Sequence, residues 1–199
     1  MKTDIQKGFT LIELIAVLAI FTILTSVVVF NYSRFRSETI LTNMAYEVAL
    51  SLREAQIYGV SARNAKGVST PNFKLPYGIL FNDNSNEYYL FADTNDTTGD
   101  GRFTGTDCIN SGGDTCVTPY VMQQNIKIDR ICTDIQNNIS SASVLFKRPN
   151  PEPIIKAGQG SPSIIQIKLV SQSGSARYVV VYNNGQVAVL NESQITGCN

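Results

Sequence analysis

The chain has no histidine and no tryptophan among its 199 residues. Without histidine there is no Ser-His or Cys-His nucleophilic pair and no imidazole to hold a metal. Proline is missing before Pro71, and glycine is missing between Gly8 and Gly59. The two residue types that break helices are therefore absent from a long early stretch. Charge is sparse as well: 16 basic and 16 acidic side chains give a formal net charge of zero. No run of one sign marks an electrostatic footprint for nucleic acid.

What stands in that early stretch is an apolar run from Phe9 to Phe30, 22 residues with Glu13 as the one ionisable group. As a helix it spans about 33 Å, enough for the hydrocarbon core of a bilayer. A carboxylate inside such a segment is costly, so Glu13 reads as functional. A short polar leader ending in Lys7-Gly8 precedes the run. In an ordinary secretory signal peptide the cleavage site follows the apolar core, and the core is discarded. Ala16 and Ala19 form only a weak small-residue pattern, and nothing after them suggests a cut. Lys2 and Lys7 flank one side and Arg34 and Arg36 the other, so charge alone leaves the orientation open.

Read as Lys7-Gly8, then Phe9-Thr10-Leu11-Ile12-Glu13-Leu14-Ile15, this N-terminus resembles the signature of type IV prepilins and pseudopilins. The resemblance implies a prepilin peptidase that cuts after Gly8 and N-methylates Phe9. It implies that Glu13, fifth in the mature chain, assists subunit docking. The implied partners are other pilin or pseudopilin subunits, the peptidase, an inner-membrane assembly platform and membrane lipid. The implied location is a single pass through the bacterial inner membrane, leader inside and C-terminal domain outside, with assembly into a pilus or pseudopilus. The resulting organisation is a cleaved leader over residues 1–8, a membrane-spanning helix over 9–30, its amphipathic continuation over 31–63, and an extracytoplasmic β-rich domain over 64–199.

The continuation has its own signal. Ile40, Leu41, Met44, Ala45, Val48, Leu52 and Ala55 recur at steps of three and four, with Glu38, Asn43, Glu47, Ser51 and Glu54 between them. That pattern predicts one helix from about Phe9 to about Arg63, its second part laying an apolar stripe on a sheet. After Pro71 the pattern turns to strands: Tyr77–Phe81, Glu87–Ala92, Ser143–Lys147, Ser163–Val170, Arg177–Tyr182 and Gln186–Leu190. Residues 82–86 form a turn-rich hairpin loop, and Asn184-Gly185 predicts a two-residue hairpin turn with positive φ at both positions. Pro149–Pro162, with four prolines, reads as a loop. The expected class is α+β, a long helix packed on an antiparallel β domain. Within the family, Leu50–Gln56 and Tyr88–Asn95 look most like the H-type minor pseudopilins of type II secretion and related minor pilins.

Cys108, Cys116, Cys132 and Cys198 all fall in the part expected to be exported, where an even count favours disulfides. Three pairings are possible. Cys108 and Cys116 bracket a Gly-rich segment and are expected to staple it, leaving Cys132–Cys198 to pin the C-terminus; free thiols are the alternative. No Cys-x₂-Cys spacing is present, so a zinc site is not indicated.

Two function classes follow. One is a structural subunit, a minor pseudopilin or minor pilin that initiates or tips a filament for secretion or pilus assembly. The other is a tip subunit acting as a binding module for DNA uptake or adhesion. Lys127, Arg130, Lys147, Arg148, Lys156, Lys168 and Arg177 are scattered rather than clustered, which favours the structural class. An enzyme is not expected.

One loop carries candidate site chemistry. Asp96, Thr98, Asp100, Gly101, Phe103 and Asp107 approach the spacing of a calcium loop, and Asp93 and Asn95 offer oxygens in another register. A solvated Asp/Asn/Gly turn is the competing reading. If the loop takes calcium, the short Asp107 and Thr98 at ligand positions should hold affinity to about 10⁻⁴–10⁻³ M. Calorimetry with Asp100→Ala as control tests it: no calcium-dependent heat, and no rise in melting temperature at millimolar calcium, leaves a plain turn.

Overall fold

Leu11–Val60 form one helix, α1, of 50 residues, about 75 Å long. The computed structural model describes residues 8–61, 75–94, 102–103, 108, 113–135, 137–158, 160–195 and 197–198. The helix begins two residues later than the apolar pattern predicts because Thr10 serves as N-cap. Its backbone is extended, and its Oγ1 accepts a hydrogen bond from the Glu13 N–H at 3.4 Å. At the other end Ser61 N donates to the Ile57 carbonyl at 2.9 Å and closes the last turn. Arg63, the expected end, lies outside the described residues.

The helix has two halves of different character. From Leu11 to Phe30 every side chain is exposed. From Leu41 onward one face is buried: Leu41, Ala45, Val48, Leu52 and Ala55 are fully covered. Each large apolar side chain removed from water there contributes about 2 kcal/mol.

Among the described residues nine strands follow, all paired antiparallel: β1 Tyr77–Asn82, β2 Glu87–Ala92, β3 Thr115–Val121, β4 Lys127–Thr133, β5 Ser141–Lys147, β6 Asn150–Ala157, β7 Ile164–Val170, β8 Ala176–Tyr182 and β9 Val187–Asn191. They make a five-stranded sheet in the order β3-β2-β1-β5-β6 and a four-stranded sheet in the order β4-β7-β8-β9. The second half of α1 packs against both. Ile79, Phe81, Val144 and Phe146 of the first sheet and Ile131, Ile167, Val179 and Val181 of the second share one core with the helix stripe. The architecture is α+β, as the periodicity indicates. At Gly59 a Cβ would collide with the Phe146 carbonyl. The helix can lie this close to β5 only because that residue has no side chain.

Three strands depart from the sequence reading. β6 occupies part of the proline-rich stretch expected to be a loop. It is an edge strand, so the amide N–H groups that Pro151 and Pro153 lack can be the ones no neighbour needs. β3 is also an edge and carries Pro119, and β4 is an edge with a register shift between Ile128 and Arg130, which blurs its alternation. The Asn184-Gly185 turn differs too. Val181 pairs with Val187, so the loop has three residues, Asn183-Asn184-Gly185, and only Gly185 takes positive φ, at 84°. Gly185 N donates to the Tyr182 carbonyl at 2.9 Å, a turn closed by a left-handed glycine.

A polar seam crosses the helix–sheet contact. Ser51, expected on the polar face, is 4% exposed, and its Oγ lies 2.9 Å from the Tyr88 hydroxyl. Tyr88 stacks on Tyr120 with ring centroids 4.9 Å apart, and the Tyr120 hydroxyl donates to Glu54 Oε2 at 2.6 Å. Burial pushes the Tyr88 hydroxyl up to about 12. Burial, and then the bond to Glu54, raise Tyr120 as well. A tyrosine raised above its ordinary value keeps its proton in the folded state where the unfolded chain has released it. The stability this represents is complete below about pH 10 and is lost as pH rises from there toward 12. Denaturation midpoints at pH 8, 10 and 11 should show that alkaline fall in the native chain and a shallower one in the Tyr88→Phe/Tyr120→Phe double variant. Equal alkaline limbs would exclude these two hydroxyls as its source.

Candidate functional site

The N-terminal segment is built around the helix start. Gly8 lies in open space: a Cβ there would meet nothing within 4 Å. Its φ is also outside the left-handed region, so the fold itself does not require glycine at this position. Phe9 is 80% exposed. Thr10 caps the helix, and Glu13 stands exposed in its first turn, where the helix dipole favours a carboxylate. Glu13 follows Phe9 by four residues, about one turn, so its carboxylate sits near the level of the chain end that a cut after Gly8 would create.

Beyond Glu13 the helix offers an apolar surface on every side. Leu14, Phe21, Leu24 and Phe30 are all more than half exposed. The hydroxyls in this stretch spend their protons locally. Thr22 Oγ1 donates to the Leu18 carbonyl at 2.6 Å, Thr25 Oγ1 to Phe21 at 2.8 Å and Ser26 Oγ to Thr22 at 2.7 Å. A helix whose polar groups are satisfied within itself can enter hydrocarbon. By length and composition α1 is apolar enough to cross a membrane. Residues 4–29 match the prokaryotic N-terminal methylation motif.

The chain carries the N-terminal signature of the type IV pilin and pseudopilin family. No curated protein and no solved structure matches it. The motif supports a type IV pilin-like or pseudopilin subunit, and with the apolar N-terminal helix it fits an inner-membrane anchor.

The four cysteines are paired. Cys108 bonds Cys116, and Cys132 bonds Cys198 across 66 residues of sequence. Closing a loop of that length stabilises the folded chain by about 4 kcal/mol in the chain-entropy account. The second bridge lies on the outer face of the four-stranded sheet. There Cys132, Tyr178, Val180, Ile195 and Cys198 form a small core of their own, and the Tyr178 hydroxyl donates to the Cys198 carbonyl at 3.3 Å. The C-terminal segment thereby covers that face.

Of the proposed calcium ligands, Asn95, Asp96, Asp100 and Asp107 lie outside the described residues. Asp93 is described and is 1% exposed, with its N–H donating to the Pro76 carbonyl at 3.0 Å. Asp114, which the spacing argument passed over, is 3% exposed, and its Oδ1 accepts from Thr94 N at 2.9 Å. Ala92 pairs with Thr115, so Asp93 and Asp114 leave their strands side by side at the base of the loop. A cross-strand partner 21 positions away carries no local spacing signal. Among the described residues no group of three or more acidic, cysteine or histidine side chains is placed to hold a metal.

The docking role expected of Glu13 is open to direct test. Glu13→Gln should leave membrane insertion and cleavage intact while lowering filament yield at least tenfold, read as the sheared filament fraction against total processed subunit. Filament yield equal to the native chain's would remove the carboxylate from assembly.

Proposed function

We propose that this protein is a minor pseudopilin or minor pilin, a structural subunit that helps initiate or tip a short filament in type II secretion or a type IV pilus. The observation that carries this is the methylation motif at residues 4–29 running directly into a helix whose first half is exposed and apolar on all sides. Such a surface needs a bilayer or neighbouring helices around it. Its second half is integrated into a domain with its own core and two disulfides, which suits an oxidising compartment outside the cytoplasm. On this reading residues 1–8 are removed, 9–30 span the membrane, 31–63 continue the helix, and 64–199 lie outside.

The minor, H-type assignment rests on Leu50–Gln56 and Tyr88–Asn95. These two stretches meet through Ser51 and Tyr88, so they form one structural feature rather than two unrelated likenesses. The reading as a DNA-binding tip module draws less support. Lys168 Nζ is 3.6 Å from Asp129 and also sits over the Tyr178 ring, while Lys127 reaches Asn84 and Arg177 bonds the Ala176 carbonyl. These cations are engaged locally and do not line one groove.

Co-expression with a prepilin peptidase tests the assignment. Intact-mass and N-terminal analysis should show loss of residues 1–8 and one methyl group on Phe9. Gly8→Arg should block the cut without changing the fold, since a side chain at position 8 meets only open space. A mature subunit that retains Met1 would refute this function.

A further inference from the structure

The two sheets end in four edge strands, β3, β6, β4 and β9. An edge carries a row of outward N–H and C=O groups that another strand can pair with, and proteins blunt it with proline, bulges or covering segments. Three of the four are blunted here. On β3, Met122 N donates to the Asn86 carbonyl, so alternation puts the missing N–H of Pro119 on the outward side. β6 carries Pro151 and Pro153, and the Pro151 carbonyl accepts from Gln56 Nε2. β4 is bulged, and segments outside the sheet hold two of its backbone groups. Ile128 N donates to the Ser85 carbonyl, and the Ile131 carbonyl accepts from Ile139 N.

β9 carries none of these devices. It reads Val187-Ala188-Val189-Leu190-Asn191, without proline or charge, and it pairs with β8 with no shift of register. Tyr182 N donates to the Gln186 carbonyl, so Gln186, Ala188 and Leu190 turn their backbone groups to β8, and Val187, Val189 and Asn191 turn theirs outward. Asn191 N is taken by Gln194 Oε1. For the N–H groups of Val187 and Val189 no acceptor stands among the described residues.

The helix makes a second wall. α1 runs along β8: Ser37 Oγ lies 2.9 Å from Ser173 Oγ in the β7–β8 turn, and Arg53 Nη1 reaches the Gly185 carbonyl at 3.3 Å in the β8–β9 turn. Leu50 and Tyr46 come one and two helical turns before Arg53, so they share its side of the helix, and they are 67% and 56% exposed. A strand added to β9 would set its inward side chains beside Val187, Val189 and this apolar pair. A second copy does not fit. A symmetric pair of β9 edges is antiparallel, and because α1 lies along the strands the two rods would point in opposite directions. Their membrane halves could not share one bilayer.

We propose that β9 accepts an extended segment of another polypeptide as a fifth strand of its sheet. The segment runs antiparallel to β9, as every pair in the sheet does, with apolar side chains at the alternate positions opposite Val187 and Val189. Arg53 at the Gly185 end and Glu192 just beyond Asn191 favour an acidic residue at the segment's C-terminal end and a basic one at its N-terminal end. The exclusion of a second copy rests on the membrane anchor; the open edge does not.

The test uses the full isotope-labelled chain in detergent micelles and an acetylated peptide amide, Lys-Thr-Val-Thr-Val-Thr-Glu, read by amide chemical shift and hydrogen exchange. With peptide the Val187 and Val189 amides should shift and exchange more slowly, while those of Val117 and Val121 on β3 should not change. The same peptide N-methylated at both valines loses the donors and keeps the side chains, and it should bind about tenfold more weakly. Arg53→Glu, at an exposed position, should reverse the preference between this peptide and one ending in lysine, a change that a purely structural role for Arg53 would not produce. An unchanged preference would overturn the assigned polarity. No protection of Val187 and Val189, equal binding of the N-methylated peptide, or a concentration-dependent dimer of the chain that protects the same two amides would overturn the proposal.

Discussion

One helix has to satisfy two solvents, and the rest of the structure follows from that. Between Leu11 and Phe30 none of the described residues covers α1, yet its large side chains are apolar. Between Leu41 and Gly59 the same helix forms the spine of a folded domain. No proline interrupts it and no glycine falls inside it before Gly59, so the two halves form one rod. Any surface that covers the first half therefore fixes the direction in which the domain is carried. A hinge within the rod would uncouple them, and the composition of this stretch excludes the usual residues for one.

The domain holds its end of the rod with two kinds of contact. The apolar stripe supplies most of the stabilisation, by burial against both sheets. The seam of Ser51, Tyr88, Tyr120 and Glu54 supplies direction, because hydrogen bonds at 2.6 and 2.9 Å tolerate little sliding or rotation of the helix against β2 and β3. At its C-terminal end, Arg53 Nη1 reaches the Gly185 carbonyl at 3.3 Å and Gln56 Nε2 the Pro151 carbonyl at 2.9 Å. These two residues tie the helix to the β8–β9 turn of one sheet and to β6 of the other. The helix is thus tied to both sheets.

Much of this was legible in the residues. The helix, its buried stripe, the β1–β2 hairpin and strands β5, β7, β8 and β9 follow from periods of 3.6 and 2 over several residues. What escaped did so for local reasons. Pro151 and Pro153 argue against a strand in general, but they are tolerated at an edge, and edge status is a property of the sheet and not of the segment. The bulge in β4 breaks the alternation that would have revealed it. The Asn184-Gly185 pair correctly marked a turn, while its length depended on the pairing of Val181 with Val187. Ser51 and Glu54 are polar by type and were placed on the solvent side. Only Tyr88 and Tyr120, from distant strands, give them partners inside. At the candidate site the methylation motif was legible because it is contiguous. Asp114 was not, because its place beside Asp93 is created by the sheet.

Gly8 and Gly59 show how the two kinds of constraint differ. At Gly59 the reason for glycine is internal: the Phe146 carbonyl occupies the space a side chain would need. At Gly8 the folded chain has room for any side chain, no unusual φ demands glycine, and no contact would be lost. A requirement for glycine there has to come from another molecule that grips this segment with its backbone in close approach. The same holds for the apolar surface from Phe9 to Phe30, which lies exposed on the described chain. The most specific part of this sequence therefore contributes least to its own fold, and what it fits is a surface outside the chain, as the methylation motif implies.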